Sequence, residues 1–213
     1  VKRYLKYVSK LILHNKKDNY HNMILKRKIF LKVRILSASN HGGGAARAAS
    51  RLNNSIYYYG NKFNSDMQVA NYKTDINNVI RPRSNFKMAW YLARKFIGSL
   101  IQKAQISNNK VLHSSALLPS NIHRQINDCD ADIINLHWIQ GEFISIKSIS
   151  LIKKPIVWTF HDLWPFLGTE HYPRDYNDKR YIEGYCKENR LKDEKGIDLD
   201  LISWRFKKKY FKK

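Results

Sequence analysis

KVRILSASNHGGGAARAASRLNNSI, residues 32–56, reads as a strand, a glycine turn and a helix in direct succession. The apolar run Val33 to Leu36 gives way to Ser39, Asn40 and His41, and then to Gly42, Gly43 and Gly44. Ala45, Ala48, Ala49, Leu52 and Ile56 follow at helical spacing and predict one buried face. Strand, tight turn and helix make the first half of a βαβ unit. Glycines let a turn pass close to a ligand. The helix start directs unpaired N–H groups and the positive end of its dipole at whatever lies before it. The arrangement suits an anion, most naturally a phosphate, with Arg47 near the helix start within reach of it. The spacing is neither GxGxxG nor a Walker loop, and a strand-to-helix turn without any ligand accounts for it as well.

Bulk properties bound the rest. The chain has 213 residues and 43% hydrophobic content, a globular composition large enough for one α/β domain. Its formal net charge is +22, from 39 Lys and Arg against 17 Asp and Glu, which implies polyanionic company. Two cysteines, Cys129 and Cys186, make no disulfide framework and suit a reducing compartment. No apolar run approaches the length of a membrane span, and none reads as a secretory leader. Residues 1–30 read as a basic extension. Tyr4, Leu5, Val8, Leu11 and Ile12 would lie along one face if it were helical, and an interfacial helix or a solvated tail are its two readings.

Further on, Asp66 to Ala70 predicts a second strand, residues 71–84 a polar loop, and Phe86 to Gln105 a long helix. The stripe Phe86, Trp90, Ala93, Ile97, Leu100, Ile101 and Ala104 is expected in the core. Ile133 to Leu136 is a short strand that ends at His137 and Trp138, and Phe143 to Ile152 a helix. Ile156 to Phe160 is a further strand, ending at His161 and Asp162. Strands alternating with helices predict the α/β class: a Rossmann-like, mostly parallel sheet with helices on both faces, filling residues 31–213. Ligands of such sheets sit beyond the carboxyl ends of the strands, so the glycine turn, His137 and His161 are expected to face one crevice. Neutral His161 can accept a proton or a hydroxyl hydrogen bond, and charged His161 can pair with phosphate; a histidine that merely closes its strand is the alternative. Asp162 orients the loop or caps a turn, His137 lines the site or packs beside Trp138, and Trp164 offers a stacking face or joins the core.

GGGAARAASRL, ADIINLHW and KKPIVWTFHDLWPF together resemble the amino-terminal half of retaining glycosyltransferases of family 4, enzymes of the GT-B fold. The resemblance covers about residues 31–212, and the run EHYPRDYNDKRYIEGYCKENR is similar to one branch of that family. It implies that Gly42, Gly43 and Gly44, with Arg47, approach the diphosphate of a nucleotide-sugar donor. It implies that His161 is the catalytic histidine closing the transfer site, and that His137, Trp138, Asp162 and Trp164 lie on the acceptor side. Neither a metal ion nor a cofactor is implied, and Cys186 alone stands where other members carry several cysteines. The implied acceptor is a saccharide or lipid-linked, in surface polysaccharide or lipopolysaccharide synthesis, with the enzyme in the cytoplasm or on the inner face of an anionic membrane. In the family a carboxyl-terminal domain with paired glutamates holds the donor. The sequence ends at Lys213, where that domain would begin, so the expectation is a truncated or split enzyme that needs the donor-binding half as a partner. A non-enzymatic polyanion-binding domain and an inactive remnant are the other readings. No nucleic-acid motif is present to suggest a specific nucleic acid.

Overall fold

A computed structural model of the chain describes residues 31–73, 78–81 and 84–211, and the chain divides into two compact units. The extension at residues 1–30 lies outside the described residues. In chain order the elements are β1 (Leu31–Ser39), α1 (Gly44–Tyr59), β2 (Phe63–Asn71), β3 (Val79–Ile80), α2 (Asn85–Gln102), β4 (Gln105–Ile106), α3 (Ile122–Asn127), β5 (Ile133–Leu136), α4 (Ile146–Ser150), β6 (Ile156–Trp158), α5 (Arg180–Glu183), β7 (Lys195–Gly196) and α6 (Leu199–Tyr210). The chain crosses from the first unit to the second after Arg81, after Trp138 and after Thr159.

The first unit is a five-stranded, all-parallel sheet in the order β3-β2-β1-β5-β6. The earliest strand stands in the middle and the order reverses beside it, which makes the fold α/β and Rossmann-like, as the sequence predicts. Residues 33–38 of β1 and all of β5 are buried, as expected of strands with near-continuous apolar runs. Ala49 of α1 packs with Val33, Ile35, Met67, Val69 and Ile133, and Leu52 adds to that cluster. The face of α1 turned inward is Ala46, Ala49, Ser50, Asn53 and Ile56, and Ala48 is exposed, so the helix is rotated from the predicted face. Two small-residue hydrogen bonds set the rotation: Ser50 Oγ donates to the Asn40 carbonyl (2.9 Å) and Ser65 Oγ to the Asn53 carbonyl (3.0 Å).

β2 is longer than predicted because its polar residues are accommodated inside the sheet. Asp66 lies opposite Arg34 in register, and Arg34 donates to it through Nε (2.6 Å) and Nη2 (2.7 Å). β3 emerges from the predicted polar loop by pairing with Met67 and Gln68. β6 closes at Trp158 rather than Phe160, with Thr159 N still donating to the Leu136 carbonyl (2.8 Å).

The second unit holds α2 to α6 and the antiparallel pair β4–β7. Leu167, Tyr185 and Leu201 form its apolar cluster, with Trp204 against them. Around them runs a buried polar network. Arg180 Nη2 donates to Glu170 (2.9 Å) and to Asp178 (2.8 Å); Asp200 accepts from Thr169 N (2.9 Å) and Gln105 Nε2 (2.6 Å). Lys207 Nζ donates to the carbonyls of Trp164 (2.5 Å), Leu167 (3.1 Å) and Gly168 (2.6 Å). The helix predicted from Phe143 starts only at Ile146, because Ser145 caps it by accepting from Ser148 N (3.2 Å).

α2 overturns an expectation. Phe86, Trp90, Ile97 and Leu100, predicted as core, are exposed, and the helix instead buries Tyr91, Arg94 and Gly98. The inward face is fixed by polar and steric contacts. Arg94 Nη2 donates to the Leu118 carbonyl (3.2 Å) and stands 3.7 Å from Glu142, while a Cβ on Gly98 would come within 2.7 Å of the Glu142 side chain.

Candidate functional site

In the first unit the candidate edge lies where β1 and β5 stand side by side, beyond their carboxyl ends. Ala38 N donates to the Trp138 carbonyl (2.7 Å) and His137 N to the Leu36 carbonyl (2.9 Å), so the ends of both strands are tied together. This is the switch point of the sheet, the position at which open α/β sheets take ligands. Asn40 is buried and anchors the turn: its Nδ2 donates to the Lys73 carbonyl (2.8 Å) and its Oδ1 accepts from Lys73 N (3.0 Å). The chain then rises into solvent through His41, Gly42, Gly43 and Gly44, all exposed. Gly42 has φ +91°, a conformation that favours glycine. Cβ atoms built on Gly42, Gly43 or Gly44 would meet nothing within 4 Å. Internal packing therefore does not require glycine at Gly43 or Gly44, and the space above them is open. Gly43 caps α1 without a side-chain hydrogen bond, and no acidic residue stands in the first turn. The unpaired first-turn N–H groups of a sixteen-residue helix thus face that space. Arg47 is exposed in the first turn; His137 is buried and Trp138 half-buried. Exposed His41, with Nδ1 3.0 Å from Ser39 Oγ, is a polar group of the turn that sequence reasoning missed.

In the second unit His161 is half-buried at the head of a folded loop, 161–167. Burial holds the His161 imidazole below its ordinary pKa, against the opposing pull of Asp162, so the ring is biased to the neutral, proton-accepting form. Both oxygens of Asp162 are engaged: Oδ1 accepts from Trp164 N (3.1 Å) and Oδ2 stands 2.6 Å from His171 Nδ1. The other nitrogen of His171, Nε2, lies 3.0 Å from Ser114 Oγ. Asp162 thus braces the loop that follows His161. Trp164 is 0% exposed, its Nε1 donating to the Ser114 carbonyl (2.7 Å) and its ring under the Lys207 ammonium. It belongs to the core and offers no face for stacking, a correction to its placement on the acceptor side. The neighbouring rings do offer one: Phe160 and Phe166 are each about half-exposed and meet edge to face with centroids 5.1 Å apart. Sequence reasoning passed them over because WTFHDLWPF holds four aromatic residues and only the loop decides which turn outward.

A cavity of about 470 Å³ opens in the same unit, lined by Lys95, Ser99, Lys103, His113, Ser114 and Glu142 among others. Glu142 is its unusual member. Its backbone takes φ +60°, rare for a residue with a side chain. Its Oε1 accepts from Ala116 N (3.1 Å) and Ser115 Oγ (3.3 Å). Burial raises its pKa against the opposing charge of Arg94. Burial also holds His113 down. A cleft with a cationic and hydroxylic rim suits hydroxyl-rich or anionic ligands. Only the GEF tripeptide marks Glu142 in the sequence, and no letter announces a left-handed backbone there.

Among the described residues no three His, Cys, Asp or Glu side chains are grouped to hold a metal ion, and Cys129 and Cys186 form no disulfide. The fold and this edge define an α/β protein of Rossmann-like type with a glycine turn at its switch point. No protein-family model, curated protein or solved structure matches the chain.

Proposed function

We propose that the chain is the acceptor-side half of a retaining glycosyltransferase, transferring a sugar from a nucleotide-sugar donor to a saccharide or lipid-linked acceptor. The observation that carries the reading is the glycine turn: open space above three exposed glycines, at the switch point of a parallel sheet, before an uncapped helix start. Backbone N–H groups there suit a diphosphate, and Arg47 adds a mobile charge. Sugar transfer needs that affinity, since the bond from the anomeric carbon to the diphosphate breaks as the bond to the acceptor oxygen forms. The leaving nucleoside diphosphate carries the electron pair away and takes up the proton that the acceptor hydroxyl releases, and stabilising it lowers the barrier. The second unit supplies His161, whose neutral imidazole can accept the hydrogen bond of a sugar hydroxyl, and the Phe160–Phe166 pair, which can stack on a sugar ring. His137 and Trp138 are assigned to the acceptor side.

The reading is tested by sugar transfer from nucleotide-sugar donors, assayed with a donor-binding second half added. His161→Ala is expected to lower turnover by about a hundredfold or more while leaving thermal unfolding unchanged. A His161→Ala chain that turns over as fast as its parent removes the imidazole, and with it this mechanism.

A further inference from the structure

α2 turns its apolar side outward. Phe86, Trp90, Phe96, Ile97 and Leu100 are all exposed, Phe86 at 79% and Phe96 at 66%. One exposed apolar side chain is ordinary, whereas several on one helix make a patch that marks a binding surface. At 3.6 residues per turn, Phe86, Trp90, Ile97 and Leu100 fall within about 80° of the helix circumference, and Phe96 adjoins them. Lys87 stands on one flank of this ridge and Lys103 on the other, both exposed.

The charge around the ridge selects its occupant. No Asp or Glu occurs between Asp75 and Asp128, whereas Lys87, Lys95, Lys103 and Lys110 lie in that segment and are exposed. A second copy of the chain would bring the same lysines face to face across an apolar seam, and like charges repel. An anionic bilayer meets both features at once. Aromatic and aliphatic side chains enter the boundary of the acyl region, lysine stems lie along it, and their ammonium groups reach the headgroup phosphates. Trp90 suits the headgroup level. Among the described residues no helix is long and apolar enough to cross a membrane, so α2 would lie along the surface.

We propose that the outward face of α2 docks flat on an anionic lipid surface. This does not rest on the sugar-transfer reading, and its test involves no turnover. The full chain is sedimented with vesicles of phosphatidylcholine alone, or of phosphatidylcholine mixed with phosphatidylglycerol. Binding to the mixed vesicles, and little to the zwitterionic ones, is the expected result. Phe86→Ser, Phe96→Ser and Leu100→Ser together should lower partitioning about tenfold or more, with the helical circular dichroism retained because all three are about half-exposed or more. Lys87→Gln with Lys103→Gln should lower it by about tenfold as well. Partitioning that is indifferent to the serine variant would show that charge elsewhere does the binding and would overturn the proposal. So would a parent chain that ignores anionic vesicles, or a solution dimer abolished by the same three serines.

Discussion

Gly42 and Gly44 stand two residues apart, and of the two only Gly42 has a conformational reason to be glycine. Gly42 sits at φ +91°, where a side chain strains the backbone, so Gly42→Ala is expected to destabilise the chain by about 1–2 kcal/mol. Gly44 opens α1 with free space around it, so Gly44→Ala should leave stability unchanged or raise it by up to about 1 kcal/mol. The same methyl group would stand between the N–H groups and a diphosphate. Titration with a nucleoside diphosphate, alongside urea unfolding of both variants, separates the effects; Gly44→Ala binding as tightly as the parent would show that no ligand approaches there. The letters GGG announce a turn, but not which of the three glycines the backbone requires. His161 was legible in the same partial way. Its strand was foreseen but closes at Trp158, three residues before it, and the Asp162–His171–Ser114 chain bracing its loop joins residues 57 positions apart and has no local signature.

At the level of elements, apolar runs were legible and polar ones were not. β1 and β5 declared themselves because nearly all their residues are buried. β2 was read too short, since Asn64, Ser65 and Asn71 look like turn residues until β1 is found beside them; in the same register Asp66 faces Arg34. That pair predicts its own test. Asp66→Ala leaves the Arg34 guanidinium buried without its main carboxylate and should cost about 3–5 kcal/mol in urea unfolding. Replacing both partners with apolar residues, Arg34→Met with Asp66→Leu, should recover most of that loss. A single-variant loss below about 1 kcal/mol would place the pair in solvent-like surroundings. α2 shows the complementary error. Periodicity found the helix, yet the inward side was chosen by Arg94 and by the room Gly98 leaves for Glu142, not by the apolar stripe.

For the molecule as a whole, the buried network of the second unit makes stability depend on pH. Burial, reinforced by the Asp200 carboxylate, pushes Glu170 up to about 8 despite its bond to Arg180. A carboxyl whose folded value lies above its unfolded value of about 4.3 holds its proton better in the folded chain. Its stabilising contribution is complete at pH values below that unfolded value and drains away as pH climbs through the folded one. Glu170→Gln keeps the shape and removes the titration, so its urea midpoint should fall less than the parent's between about pH 5 and pH 8.5. Lys207, held well below its ordinary value by burial, has the opposite sign and feels the Glu170 charge, so the comparison reports Glu170 together with its pull on Lys207. Parallel profiles would show that Glu170 is ionised throughout.

The threefold passage of the chain between its units also sets the order in which a nascent polypeptide can complete itself. β1 and β2 leave the ribosome early, yet the edge of β1 that receives β5 stays unpaired until Leu136 has emerged, and β6 arrives later still. The second unit waits for α6, at the very end of the described residues. Between the emergence of β1 and that of β5 the growing chain therefore carries an open, apolar strand edge, the kind of surface that aggregates unless a chaperone shields it.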